Sequence, residues 1–335
     1  MSRTPVALVT GGAGFIGSHM VDVLLEHGYS VRVIDNLSGG HEKNLGHLAG
    51  ETRLSTEWAD IRTIEPDSTL FRDVDRVFHF AGIGDIVPSI ERPTEYMDTN
   101  VQGTVRVLEA ARHAGVKKLV YAASSSCYGL ADTPTREDHS ISPQYPYALS
   151  KYMGEQAALH WNTVYRLPVN SVRIFNAYGP RVRTTGAYGA VFGVFFRQKL
   201  AGTPFTVVGD GTQTRDFLFV TDVARAFLKA GETDMTGHIW NLGAGNPQSV
   251  NRLVELIGGD VVYLPKRPGE PDCTWADITK ITSTLGWAPQ VSFEEGVARM
   301  MEEIAVWKDA PLWDPDTIAQ ATKTWFDYLG DKKAG

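Results

Sequence analysis

The segment that most constrains this chain lies at its start, where an apolar run enters a glycine-rich turn. Val6–Val9 is a continuous aliphatic run of the kind that forms a buried strand. Gly11, Gly14 and Gly17 follow it, and from Phe15 to His27 apolar residues recur at helical spacing. A strand, a glycine turn and an amphipathic helix in this order predict an α/β protein.

The same alternation continues through the first half of the chain. Further strands are predicted at Val31–Ile34, Arg76–Phe80, Lys118–Ala122, Val169–Ile174 and Phe205–Val208, and further helices at Val101–His113 and Tyr147–Val164. A loop is expected over Thr184–Phe196, and Asp216–Lys229 is read as another strand–helix pair. Strands separated by helices imply crossovers and a parallel sheet covered on both faces. The predicted fold is a Rossmann-type doubly wound parallel sheet with a smaller C-terminal α/β lobe.

Domain bounds follow from where this pattern changes. We expect a Rossmann domain over residues 1–180, with 216–245 returning to it. Residues 181–215 and 246–310 would form the second lobe, in which the elements are shorter and interrupted by glycine and proline. Residues 311–335 would form a helical tail, docked by aromatic side chains, to which the sequence assigns no role.

Charge and composition narrow the partners. The formal net charge of −7 argues against a broad nucleic-acid or anionic-membrane surface. The chain has two cysteines, which implies no disulfide framework. It shows neither an apolar run of membrane-spanning length nor a signal peptide, so a cytoplasmic protein is expected.

The glycine turn predicts a phosphate-binding site. Absent side chains let the backbone approach a pyrophosphate, and the N–H groups and dipole of the helix N-terminus stabilise its charge. Asp35 closes the next strand, where a carboxylate can accept hydrogen bonds from adenosine ribose hydroxyls and repels a ribose phosphate. The turn contains no Arg or Lys. These features favour NAD over NADP as the cofactor.

A catalytic constellation is predicted at the start of the third long helix. Tyr147 and Lys151 are four residues apart and therefore share a helix face. A neighbouring ammonium and an oxidised nicotinamide would favour the phenolate, so Tyr147 could act as a base. Ser124 follows a predicted strand at the carboxyl end of the sheet, where it can orient a substrate hydroxyl toward Tyr147.

Longer motifs accompany these residues. They are GGAGFIGSH at Gly11–His19, DNLSGG at Asp35–Gly40, Asp60-Ile61, HFAG at His79–Gly82, TNVQGT around Asn100, SSSCYG at Ser124–Gly129, YALSK at Tyr147–Lys151, RIFNAYGPR at Arg173–Arg181 and GDGTQTRDF at Gly209–Phe217. From about Val6 to about Met300 the chain resembles the extended short-chain dehydrogenases/reductases, in the NAD-dependent epimerase/dehydratase group.

The resemblance implies specific roles. Ser124, Tyr147 and Lys151 would form the catalytic triad. The cofactor would contact Gly11, Gly14, Phe15, Ile16, Gly17, Asp35, Asn36, Ser38, Gly39, Asp60, Ile61, Phe80, Ala81, Gly82, Asn100, Tyr147 and Lys151. The substrate, a nucleotide-diphosphate sugar, would contact Asn176, Arg215 and Arg267 through its diphosphate, and Ser124 and Ser125 through its sugar. No metal is expected. Val101–His113 and Tyr147–Val164 correspond to the helices that pair members of the group into homodimers through a four-helix interface.

Several assignments keep an alternative. Arg215 could instead form a buried ion pair with Asp216, and Arg267 could lie in a solvated loop. Phe205 and Val207 are plausible walls for the nucleotide base, but a core role is equally plausible. Asp85 could be a second acid or a turn residue.

The predicted reaction is epimerisation. In this group the sugar is oxidised, usually at the 4-position, by hydride transfer to NAD. The dehydratases and most decarboxylases of the group also carry an acidic residue immediately after the triad Ser or Thr. Here those positions hold Ser125 and Ser126. An epimerase needs no such acid, because the hydride returns to the opposite face. The alternatives are a nucleotide-sugar dehydrogenase or keto-reductase, a 4,6-dehydratase, and a sensor that binds NAD and nucleotide sugar without catalysis.

Overall fold

The computed structural model describes residues 3–184, 191–266 and 270–329. The strands are β1 Val6–Thr10, β2 Ser30–Asp35, β3 Leu54–Trp58, β4 Arg76–His79, β5 Lys118–Ser124, β6 Val169–Ile174, β7 Ala177–Tyr178, β8 Phe205–Val208, β9 Thr214–Arg215, β10 Leu218–Phe219, β11 Ile239–Leu242, β12 Gln248–Ser249 and β13 Val261–Leu264.

The α-helices are α1 Phe15–Glu26, α2 Ile86–Glu91, α3 Pro93–Met97, α4 Thr104–His113, α5 Pro146–Tyr165, α6 Val191–Ala201, α7 Val220–Glu232, α8 Val250–Ile257, α9 Thr279–Leu285, α10 Phe293–Glu302 and α11 Pro315–Leu329. A π-helical segment, Asp98–Gly103, joins α3 to α4, and short 3-10 turns connect other elements, including Ser125–Tyr128 directly after β5.

Seven parallel strands form the central sheet, in the order β3-β2-β1-β4-β5-β6-β11. The chain moves outward from β1 to β3 and then restarts at β4 on the other side of β1. Ligands of doubly wound sheets bind at the carboxyl ends of the strands where the order reverses. The predicted fold class is confirmed. The strand order reverses at β1, the strand that leads into the glycine turn.

Alternation along β1 explains how both faces of the sheet are covered. Ala7 and Val9 face a cluster that contains residues of α1 and α7, whereas Leu8 faces a cluster that contains residues of α4 and α5. Side chains of a strand point alternately to opposite faces, so one aliphatic strand packs against the helices on both faces of the sheet. The central sheet is thus held between two helical layers.

A second core, rich in aromatic residues, lies outside the sheet. It contains residues of α6, α8 and α10 together with β8, which pairs in parallel with β13. Tyr178 stacks on Phe192 with ring centroids 4.7 Å apart, and Phe217 stacks on Phe293 at 5.1 Å. β9 pairs antiparallel with β12 beside this core.

Elements that the sequence analysis did not predict, or bounded differently, include strands β3 and β11, the start of α4 and the start of α6. Strand β3 was not predicted, because its side chains are mostly exposed at the sheet edge and its sequence therefore lacks an apolar pattern. The helix expected to begin at Val101 follows α3 without a break through the π-helical segment. The loop expected over Thr184–Phe196 is wrong at its end, since α6 begins at Val191; residues 185–190 lie outside the described part.

Candidate active site

The glycine turn is shaped by close backbone contacts. Gly11 has a φ of +71°, and a Cβ there would lie 2.7 Å from the amide nitrogen of Ala81. A Cβ on Gly17 would lie 2.1 Å from the carbonyl oxygen of Gly11. Helix α1 begins after Gly14 without a side-chain cap. The turn therefore presents a bare helix N-terminus, the arrangement that binds phosphate.

Asp35 is tied to this turn as well as ending β2. Its carboxylate accepts hydrogen bonds from the backbone N–H groups of Ala13, at 3.0 Å, and Leu37, at 2.7 Å. Burial raises the pKa of Asp35, and the two N–H donors oppose that rise. Carboxylate oxygens have further lone pairs, so Asp35 can still accept from a ribose hydroxyl. Sequence reasoning missed its second role of fastening the glycine turn.

The other predicted cofactor residues lie around the same edge of the sheet. Asn36 donates a 3.0 Å hydrogen bond to Asp60 and accepts one from the Ser38 hydroxyl at 2.6 Å. Arg62 hydrogen-bonds Asp60 and lowers its pKa to about 2, so Asp60 is a carboxylate at neutral pH. Ile61 is buried beside it.

Asn100 holds the loop that follows β4. Its amide nitrogen donates to the carbonyl of Ile83 at 3.0 Å and to Ser150 Oγ at 2.9 Å, while its oxygen accepts from Ile83 N at 2.8 Å. A Cβ on Gly82 would lie 2.8 Å from that oxygen and 3.7 Å from Lys151 Nζ. Asn100 stands in the π-helical segment, a type of distortion that often marks functional sites. It links the predicted cofactor edge to helix α5.

Tyr147 lies at the start of α5 with aromatic rings on two sides. The Tyr96 ring approaches edge-on at 6.5 Å between centroids, and the Tyr145 ring is stacked at 6.4 Å. Burial raises the pKa of Tyr147, whereas a hydrogen bond with the Ser124 side chain lowers it. Tyr147 therefore rests as a neutral phenol that a hydroxyl partner can help to ionise.

Lys151 is buried one helical turn further along α5. Its ammonium lies 4.6 Å from the centre of the Tyr121 ring, on the side of Gly82. Burial lowers the pKa of Lys151 to about 8, and the charge of Glu155 opposes this fall. The pKa of Tyr147 is raised overall, and the contribution that opposes the rise comes from Ser124 rather than from the expected lysine charge. Lys151 is positioned to donate to a group bound along Gly82.

Ser124 ends β5 and starts the 3-10 turn after it. Its hydroxyl donates to Ser126 Oγ at 3.1 Å and accepts from Ser126 N at 3.2 Å. The two positions predicted to decide the reaction, Ser125 and Ser126, thus lie in the turn that carries Ser124. Both are hydroxyl side chains and neither can supply a carboxylic acid.

A buried histidine below the site was missed by the sequence analysis. His79 Nδ1 is 2.6 Å from Thr10 Oγ1, and His79 Nε2 is 2.9 Å from Thr104 Oγ1. Because Thr104 Oγ1 donates to the carbonyl of Asn100, it accepts from His79 Nε2–H. Burial lowers the pKa of His79 to about 3, so the ring is neutral. This chain of hydrogen bonds ties β1 and β4 to the segment that carries Asn100.

One of the residues predicted to bind the substrate diphosphate, Arg215, lines a cavity of about 360 Å³. Its lining includes Val208, Gln213, Arg215, Lys266 and Glu270. Arg215 pairs with Glu270 at 2.8 Å and is 11% exposed. The alternative pairing of Arg215 with Asp216 is wrong.

The Asp216 carboxylate instead accepts backbone N–H groups, including those of Ala244 and Ala276. Asn176 lies nearby, with its carboxamide oxygen accepting from Thr274 at 2.6 Å. The amide nitrogen is therefore the group that Asn176 can offer to a ligand.

Four other predicted substrate residues have mixed outcomes. Phe205 and Val207 are buried in the aromatic core, which supports their alternative core role; Val208, not Val207, lines the cavity. Arg267 lies outside the described residues. Asp85 precedes α2 and forms a 2.6 Å ion pair with Arg183, a partner that the sequence did not indicate.

The geometry around the glycine turn fits a dinucleotide. Cβ atoms on Gly11 or Gly17 would collide with backbone, and the uncapped start of α1 and the Asp35 carboxylate stand at adjacent strand ends. Together with the Ser124, Tyr147 and Lys151 arrangement, these features define a dinucleotide-binding enzyme of the short-chain dehydrogenase/reductase type. The chain belongs to the NAD dependent epimerase/dehydratase family, which matches residues 7–243.

Individual relatives agree with this assignment. A UDP-glucose 4-epimerase of Mycolicibacterium smegmatis is 38% identical over 88% of this chain and 97% of its own. A UDP-glucuronic acid 4-epimerase of Bacillus cereus, solved with UDP-glucuronic acid and NAD, has a TM-score of 0.84 at 31% identity, covering 90% of this chain and 99% of its own. A dTDP-glucose 4,6-dehydratase of Streptomyces venezuelae, solved with NAD, has a TM-score of 0.83 at 31% identity, over 90% and 99%.

These matches confirm the predicted family, its NAD dependence and its fold. They also confirm the predicted enzyme class, since UDP-sugar 4-epimerases are prominent among the relatives. Within the described residues no helix has both the length and the apolarity needed to cross a bilayer, and no cluster of three or more potential metal ligands occurs.

Proposed function

We propose that this protein is an NAD-dependent nucleotide-sugar 4-epimerase acting on a UDP-sugar. The observation that carries the choice of reaction is the turn after Ser124. Ser125 and Ser126 occupy the positions where a dehydratase needs an acid, and Ser126 is hydrogen-bonded to Ser124. The structural similarity to the dehydratase, with a TM-score of 0.83, is close to that to the UDP-glucuronic acid 4-epimerase, at 0.84, so the fold alone does not separate the two reactions and this local chemistry does.

The nearby carboxylates support the same choice. Asp85 and Glu270 are the carboxylates whose charges act on Tyr147 and Tyr145, and each is paired with an arginine. For either to donate a proton to a leaving hydroxyl, its ion pair would have to break. Asp85 therefore serves to hold Arg183 rather than as a second acid.

Each triad residue has a defined task in the reaction. Tyr147 Oη would take the proton of the sugar 4-hydroxyl and later return it, and Ser124 would hold that hydroxyl by a hydrogen bond. Lys151 would donate to the part of the cofactor that lies along Gly82, and Asn100 would keep that loop in place. NAD would supply the acceptor and the donor of the hydride.

The diphosphate would be held on the other side of the sugar. Arg215 lies on the wall of the cavity and presents a guanidinium fork that matches phosphate oxygens. Asn176 and Arg267 would add an amide and a second guanidinium. A diphosphate would compete with Glu270 for Arg215, which gives the empty and occupied sites different ion pairs.

The protein would act as a cytoplasmic homodimer through α4 and α5. Leu149 and Met153, four residues apart on α5, are each 41% exposed, and Val164 and Tyr165 near the end of that helix are also exposed. Exposed apolar side chains along one helix fit a two-fold interface of four helices. Light scattering of the purified protein measures the mass directly, and a monomer would contradict this part of the proposal.

Product analysis tests the reaction. The purified protein is incubated with UDP-glucose, UDP-N-acetylglucosamine and UDP-glucuronic acid in turn, and the products are followed by proton NMR. An equilibrium mixture of 4-epimers without net change in NADH absorbance is expected from at least one sugar. A 6-deoxy-4-keto product would indicate a dehydratase, and stoichiometric NADH a dehydrogenase. Binding without turnover of any sugar would indicate a sensor.

A further inference from the structure

The last helix of the chain is docked through one face. Helix α11 begins after Asp314, whose carboxylate accepts a hydrogen bond from Thr317 N at 2.8 Å. Ile318, Thr322 and Trp325, which recur at helical spacing, are 4%, 2% and 6% exposed. Phe326 stands next to Trp325 but is 38% exposed. Trp325 is thus buried in the docked face, whereas its aromatic neighbour Phe326 remains near the surface.

The docked face bridges two parts of the molecule. Before α11, the carbonyls of Ala310 and Trp313 accept hydrogen bonds from Arg197 and Gln198 of α6 in the aromatic core. Near its end α11 packs on α2, where Thr324 donates to Glu91 at 3.2 Å. Helix α2 follows Asp85 and packs on α5, the helix that carries the catalytic tyrosine. Helix α11 therefore reaches from the second core to the edge of the catalytic site.

Trp325 is the first member of an aromatic series that ends on the catalytic phenol. Its ring lies 5.9 Å from that of Tyr145, which in turn stacks on Tyr147 at 6.4 Å with an interplanar angle of 6°. The Tyr145 hydroxyl hydrogen-bonds the Ser126 side chain, and burial raises its pKa to about 12. Tyr145 is thus held by Trp325 at its ring and by the Ser124 turn at its hydroxyl.

We propose that α11 is part of the active site, and that Trp325 and Tyr145 are positioning residues which hold the Tyr147 phenol for proton transfer. This rests on the proposed epimerase function. A base must lie within hydrogen-bond reach of the proton it takes, and small displacements reduce rate steeply. The stacked Tyr145 ring fixes one side of Tyr147, while Tyr96 approaches it edge-on.

The variants that test this are chosen in pairs. Trp325→Ala removes the ring that covers Tyr145, Trp325→Phe restores an aromatic ring, and Phe326→Ala is the matched control on the neighbouring, more exposed position. In the full-length, NAD-loaded protein we expect Trp325→Ala to lower kcat by about tenfold or more. Trp325→Phe should recover most of that loss, and Phe326→Ala should match the wild type.

A double variant tests whether Tyr145 and Trp325 act through one path. If they do, Tyr145→Leu combined with Trp325→Ala lowers kcat no further than Tyr145→Leu alone, because the contact between them is already lost. Independent, multiplicative losses would contradict the series. A loss of kcat that follows only a fall in thermal midpoint, with no rescue by Trp325→Phe, would show a merely structural helix and overturn the proposal.

Hydrogen exchange measured by mass spectrometry gives a readout apart from activity. Trp325→Ala should speed exchange in peptides covering residues 86–91 and 143–150, and Phe326→Ala should leave them unchanged. Equal exchange in the two variants would overturn the positioning role. If the wild type epimerises no nucleotide sugar, the proposed function fails, yet the exchange comparison still decides whether α11 orders the start of α5.

Discussion

Glu155 and Arg173 form an ion pair inside the protein, one turn of α5 beyond Lys151. Their closest atoms, Glu155 Oε1 and Arg173 Nη2, are 2.6 Å apart, and the side chains are 1% and 3% exposed. Ser171 donates to the other carboxylate oxygen at 2.8 Å, and Arg173 also donates to the Tyr128 hydroxyl at 2.7 Å. The pair therefore links β6 of the sheet to α5, the helix that carries Lys151. The charge of Glu155 opposes the fall in the pKa of Lys151.

Removing one partner of this pair should be strongly destabilising. Arg173→Met leaves the Glu155 carboxylate buried without its countercharge, and such losses cost about 3–5 kcal/mol in free energy of unfolding. Urea unfolding of the wild type and the variant measures this directly. The double variant Glu155→Leu/Arg173→Met should recover much of the loss, because no buried charge remains. A single variant as stable as the wild type would contradict the assignment of a tightly coupled pair.

The buried ammonium of Lys151 should destabilise the fold at neutral pH. Burial lowers its pKa from 10.5 to about 8, so the unfolded chain holds this proton more tightly than the folded one. The cost is fully present below pH about 8 and disappears as pH rises toward 10.5. Lys151→Met should therefore be inactive yet more stable than the wild type at pH 7, by up to about 3 kcal/mol.

Urea unfolding at pH 7 and pH 10 tests the sign of this effect. The stability gained by Lys151→Met should shrink between the two pH values, because folding must remove this proton and the unfolded chain holds it less tightly as the pH approaches 10.5. Lys308→Met, at an exposed position, is the control and should change stability little and equally at both. A gain from Lys151→Met that grows with pH would contradict a lowered pKa.

Tyr147→Phe should abolish epimerisation while leaving the fold intact. The variant keeps the ring between Tyr96 and Tyr145 but removes the hydroxyl that would carry the proton. We expect kcat to fall by at least about 100-fold, as for loss of a general acid–base group, with an unchanged thermal midpoint. Tyr165→Phe, at the exposed end of the same helix, should retain full activity. Turnover by Tyr147→Phe at the wild-type rate would remove Tyr147 from the mechanism.

Gly17→Ala should prevent NAD binding through the shape of the turn. The added Cβ would lie 2.1 Å from the Gly11 carbonyl oxygen, so the backbone of the proposed phosphate site must move. Gly46→Ala is the matched control, since a Cβ there meets nothing within 4 Å. Calorimetric titration with NAD compares the two variants. Wild-type affinity in Gly17→Ala would show that this turn does not form the phosphate site.

The sequence by itself determined five of the seven strands of the central sheet, β1, β2, β4, β5 and β6, and the position of the glycine-rich turn. Strand and helix periods are local properties, so β6 was predicted at its observed bounds and α1 within one residue. The glycine spacing after β1 and the acidic residue that ends β2 also follow from short segments. The hydroxyl side chains after Ser124 were enough to favour epimerisation, because the missing acid is a matter of residue type.

Only the tertiary structure decided which distant residues are brought together around the candidate site. Arg215 pairs with Glu270 rather than with its chain neighbour, and Trp325 reaches Tyr145 from 180 positions away. No local period encodes such contacts, because they depend on how the second core and α11 pack against the sheet. The same holds for the pKa of Lys151, whose fall is caused by burial under other elements. Residue type indicated which side chains could carry out the reaction, whereas packing decides which other side chains hold them in place.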